Sequence, residues 1–100
     1  MMEGSSAEPA GTVLARTVAI SNRLGLHARA AARFVKVASQ FGADIMVCNR
    51  GVEVSGRSIM GLMMLAASPG TSIEIRASGA DAAEALRALV TLVEGRFDEE

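Results

Sequence analysis

The sequence predicts an α+β fold, an open-faced sandwich in which helices cover one face of a mainly antiparallel sheet. Two observations carry that expectation. Hydrophobic periodicity alternates between the strand repeat of about two and the helical repeat of about 3.6 residues, in the order β-α-β-β-α-β-α. The strand segments are short, and the helical ones are apolar on one side, so a single helical layer satisfies both. The chain has 100 residues, of which 50% are hydrophobic, enough for one domain with one modest core.

Each element has a local reason. Residues 1–12, with Gly4, Ser5, Ser6, Pro9 and Gly11, read as a flexible leader, and residues 13–100 as the domain. Residues 13–21 alternate, with Leu14, Val18 and Ile20 on one side and Thr17 and Ser21 on the other, as a strand requires. Residues 22–26 form a loop around Gly25. From His27 to about Phe41 the spacing turns helical: Ala31, Phe34, Val35, Ala38 and Phe41 share a face. Gly42 ends that helix. Residues 44–49 and 52–54 pair through Arg50-Gly51 as a hairpin. Ser58 caps a short helix from residue 59 to about 67, with Leu62, Leu65 and Ala66 inward. Residues 71–77 are the fourth strand, Ile73 and Ile75 inward. The last helix, residues 80–94, packs through Leu86, Leu89, Val90 and Val93 and stops at Gly95.

Composition narrows the function. A formal net charge of -1 argues against a general nucleic-acid binder, which needs a marked basic excess. The single cysteine, Cys48, allows no intramolecular disulfide and sits in an apolar stretch without a partner for nucleophilic chemistry. No apolar run reaches the roughly 18 residues of a membrane span. The first residues have neither the cationic nor the apolar part of a signal peptide. The expectation is a soluble, cytoplasmic, monomeric protein without metal or cofactor.

The only histidine, His27, stands where the loop enters the first helix, in Gly25-Leu26-His27-Ala28-Arg29. Imidazole titrates near neutral pH, so a free ring nitrogen is available as a nucleophile. The first N–H groups of the helix, those of Ala28, Arg29 and Ala30, lack intrahelical acceptors and favour an anion. Arg29 adds a forked guanidinium, although its charge opposes the helix dipole; an anion held beside His27 relieves that conflict. No second histidine, metal-binding cluster or Walker-type loop accompanies the site. A ring that accepts and passes on a phosphoryl group, without machinery to activate a substrate, describes a carrier.

At these residues the chain resembles the HPr family of histidine-containing phosphocarriers in the bacterial phosphotransferase system. Residues 24–29, Leu-Gly-Leu-His-Ala-Arg, look like the family's phosphorylation site. Residues 56–63, Gly-Arg-Ser-Ile-Met-Gly-Leu-Met, look like its regulatory serine and following helix. The loop at residues 22–24 and the tail at residues 95–100 look closer to the nitrogen-related branch, NPr, and the Ser58 segment closer to the sugar-transport form. The resemblance implies four antiparallel strands with three helices on one side. It implies a phosphoryl group passed from enzyme I to His27 and on to an enzyme IIA domain, with the delta nitrogen attacking and Arg29 holding the group. It also implies HPr kinase/phosphorylase as a partner at Ser58. Where the family usually has proline after the arginine, this chain has Ala30.

Two docking features follow from the residues. Arg29, Arg33 and Lys36 form a basic stripe suited to an acidic partner surface. Ile59, Met60 and Met63 are apolar residues that a short helix on a sheet leaves toward solvent, and methionine adapts to several partners. The rival reading is a regulatory module of the nitrogen-type system that acts mainly by association. A small acylphosphatase-like hydrolase lacks the catalytic arginine and asparagine placement it needs.

Overall fold

A computed structural model of the chain describes residues 12–99. The leader expectation, apart from Thr12, lies outside the described residues. In chain order the elements are β1 (Val13–Ala19), α1 (Ala28–Ala38), β2 (Ala43–Asn49), β3 (Val52–Ser55), α2 (Ile59–Met64), β4 (Ser72–Gly79) and α3 (Ala82–Glu94). A single 3-10-type turn, Arg96–Asp98, follows. The fold is the expected one: a four-stranded antiparallel sheet with three helices.

The strands lie in the order β1-β4-β2-β3, so the last strand is inserted between the first and second. Pairing places Val18 opposite Ile73, Ile75 opposite Val47, and Val47 opposite Val54. These residues share one face, because side chains two apart along a strand point the same way. That face meets Ala31, Phe34 and Ala38 of α1, Leu62 of α2, and Ala85, Leu89 and Val93 of α3 in one buried core. The other face carries Thr17, Glu53, Glu74 and Arg76, and Arg76 bridges Glu53 and Glu74 there. An aliphatic core with only two fully buried phenylalanines, Phe34 and Phe97, needs small residues where helix meets sheet, and Ala30, Ala31, Ala38 and Ala85 supply them.

The hairpin between β2 and β3 turns through Arg50 and Gly51, both at positive φ (52 and 82), the conformation of a two-residue turn matched to strand twist. Gly56 has no room for a side chain: an added Cβ would lie 2.4 Å from Ile45.

Three helix boundaries differ from expectation, each for a local reason. α1 ends at Ala38 with Ser39 as its cap, while Gln40 and Phe41 continue as a tighter turn. Arg57 closes that end by donating to the Ala38 and Phe41 carbonyls at 3.2 and 2.7 Å. α2 stops at Met64, because Ala66 takes a positive φ of 53; Ala66 is exposed rather than inward, and Ala67 is buried in its place. α3 begins at Ala82 rather than Ala80. The turn after Gly95 was not foreseen at all, and it bears on the site.

Candidate phosphoryl-transfer site

The site forms where the loop after β1 crosses the end of the chain. Ile20 ties the loop's start to the 70–71 segment through paired backbone bonds of 2.8 Å. Leu26 donates its N–H to the Ala67 carbonyl at 3.0 Å, which fixes the other end beside the segment leaving α2. Gly25 is required between them. Its φ is +67, and a Cβ there would sit 2.5 Å from the Ala67 oxygen.

His27 is the N-cap of α1, in extended backbone (φ -78, ψ 179), and its side chain makes no capping bond. The first intrahelical bond runs from the Ala31 N–H to the His27 carbonyl at 2.8 Å. The N–H groups of Ala28, Arg29 and Ala30 therefore precede the helical ladder, at the end where the dipole favours negative charge. Ala28 and Arg29 are exposed, whereas the Ala30 methyl is buried in the core.

The imidazole is partly open, with a quarter of its side-chain surface (25%) exposed. It lines a concave pocket of about 1030 Å³ together with Asn22, Arg23, Arg29, Arg96 and Glu99. Three arginines against one carboxylate make that pocket receptive to an anion. Asn22 is 1% exposed, and its Nδ2 donates to the Gly25 carbonyl at 2.8 Å and to Glu99 Oε1 at 3.1 Å. The second oxygen of Glu99 lies 2.6 Å from His27 Nε2. Partial burial raises the Glu99 carboxyl, but hydrogen bonds from Asn22 and His27, with the charges of His27 and Arg33, outweigh it and hold the group below its ordinary range.

The predicted site residues fall into three groups. His27, Arg29 and the helix-start amides are brought together. Ser58 caps α2, its Oγ accepting the Gly61 N–H at 2.9 Å. Of the basic stripe, Arg29 and Lys36 are exposed, but Arg33 turns to the chain end and donates to the Phe97 carbonyl. Ile59, Met60 and Met63 are exposed, joined by Met64 and Leu24, which the sequence reading did not single out. Also missed were Asn22, Arg23, Arg96 and Glu99. Arg23 and Arg96 are ordinary surface residues by sequence. Nothing in a carboxylate 72 residues downstream announces that it reaches the histidine. Cys48 is half-buried, and burial pushes its thiol up, as the unreactive reading requires.

The family described as "PTS HPr component phosphorylation site" matches residues 14–95. The chain belongs to the HPr family. Among relatives, the phosphocarrier protein HPr of Neisseria meningitidis serogroup A is 52% identical over 87 residues, covering 87% of this chain and 98% of that protein. The phosphocarrier protein NPr of Shewanella violacea is 43% identical over 88 residues, covering 88% of this chain and 97% of that one. The crystal structure of HPr from Thermoanaerobacter tengcongensis superposes with a TM-score of 0.83 at 45% identity, covering 87% of this chain and 98% of that one. HPr-family membership makes the chain a phosphocarrier of the phosphotransferase system, not an enzyme with turnover of its own. Among the described residues, no helix is long and apolar enough to cross a membrane.

Proposed function

We propose that His27 accepts a phosphoryl group from phosphorylated enzyme I and hands it to an enzyme IIA domain. One observation supports this most: a partly exposed imidazole sits at a helix start whose N–H groups are unpaired within the helix, in a pocket with three arginines. Arg29 and the amides of Ala28, Arg29 and Ala30 hold the phosphoryl oxygens, and the dipole of α1 stabilises their charge. Lys36 and Arg29 attract an acidic partner, and Ile59, Met60 and Met63 supply its apolar contact. Arg33 contributes to docking only indirectly, by holding the chain end.

In this reading the protein works as a cytoplasmic monomer, and Ser58 is a regulatory site for a kinase of the HPr kinase/phosphorylase type. A phosphate on Ser58 adds about two negative charges at the start of α2, where the helix tolerates them and an acidic partner does not. The carrier role is tested by incubation with phosphoenolpyruvate and enzyme I. The wild type is expected to gain acid-labile phosphate, and His27→Ala none. Stable phosphate, or equal labelling of His27→Ala, contradicts the assignment and favours a module acting by association.

A further inference from the structure

We infer that Glu99 is a positioning residue for His27: its carboxylate accepts the Nε2 proton and leaves Nδ1 as the nucleophilic lone pair. The inference rests on the carrier reading above and adds to it the group that sets the ring's tautomer.

A deprotonated carboxylate has no proton to donate, so across 2.6 Å the Nε2 atom must be the donor. In a neutral imidazole the other nitrogen then carries the lone pair. The position of Glu99 is itself built. Asn22 is buried, and the same amide nitrogen that bonds Gly25 of the loop bonds the other Glu99 oxygen. That amide orientation is fixed, since exchanging its oxygen and nitrogen would turn two donations into oxygen–oxygen contacts. The chain reaches this point through a strained path. Arg96, Phe97 and Asp98 all have left-handed φ (59, 56 and 62), a conformation disfavoured for residues with a Cβ. Phe97 is fully buried and its carbonyl is held by Arg33, so the turn is anchored against that strain. The result of this local cost is a carboxylate held on the one histidine.

During transfer the Nδ1 lone pair forms the bond to phosphorus while the donor's bond to phosphorus breaks and its electron pair returns to the donor. The proton on Nε2 stays between ring and Glu99, so the positive charge that the ring gains lies against a fixed negative one. On transfer to the next protein the same movements reverse, and the ring departs neutral with its proton still on Nε2.

The full chain, labelled with nitrogen-15 in its single histidine, gives a direct test by NMR at a pH where the ring is neutral. The wild type is expected to hold the Nε2–H form almost alone, and Glu99→Ala to show a severalfold larger share of the Nδ1–H form. Phosphorylation by enzyme I is expected to slow about three- to tenfold in Glu99→Ala, the range for one partly exposed charge-assisted hydrogen bond. Circular dichroism checks that the variant keeps its fold. Wild-type tautomer shares in a folded Glu99→Ala protein overturn the inference, whatever the transfer rate. The NMR reading needs no enzyme I, so an unlabelled wild type in the phosphorylation assay would sink the carrier reading and leave this one to be judged alone.

Discussion

Glu99 carries a pH dependence whose sign can be worked out. Its carboxyl is held below the ordinary value of 4.5, with burial opposing and the bonds from Asn22 and His27 prevailing. A carboxyl depressed in the folded state stabilises that state above its unfolded pKa and loses the contribution as pH falls through the folded one. Wild type and Glu99→Gln are therefore expected to differ in urea midpoint at neutral pH and to draw together as the pH falls through the depressed titration of this carboxyl. A constant difference across that span would show that the charge on Glu99 contributes nothing. The residue scale also marks the limit of sequence reading. His27 and Arg29 stood out because each is an odd residue type for its place at a helix start, whereas Ser58 was legible as an ordinary N-cap, which it is. Asn22 and Glu99 were not, since an asparagine in a loop and a glutamate in an acidic tail are the ordinary occupants of such places.

At the scale of elements, the strands and helices were legible from periodicity, and their ends were not. α2 stops short because Ala66 takes a left-handed conformation that no pattern of apolar residues foretells. α1 ends where Arg57, 16 to 19 residues away, supplies donors to its last carbonyls. The turn Arg96–Asp98 depends on tertiary contacts in the same way, since its intrinsic backbone preference opposes it. Phe97 is its anchor. Phe97→Ala is expected to cost about 3 kcal/mol, the low end for a buried phenylalanine because a terminal turn can peel away instead of leaving a cavity. Denaturant titration measures the loss. A wild-type midpoint would mean that Phe97 does not hold the turn, and with it Glu99, in place.

Over the whole molecule, the sheet order explains why distant segments meet. Inserting β4 between β1 and β2 brings the loop after β1 beside the segment before β4, where Leu26 and Ile20 find partners at Ala67, Gly70 and Thr71. α3 packs on β1 and β4 and delivers the chain end to the same edge, so the histidine and its carboxylate converge from opposite ends of the domain. That convergence makes a pocket lined by three arginines and the imidazole of His27. The account stands on that ring taking up phosphorus at a defined atom. The most direct measurement is the nitrogen-15 spectrum of the lone histidine after phosphorylation by enzyme I and phosphoenolpyruvate. Phosphorus bonded to Nδ1, with the proton retained on Nε2, is the predicted result. Phosphorylated protein whose imidazole spectrum is unchanged, or whose phosphorus sits on Nε2, would contradict it.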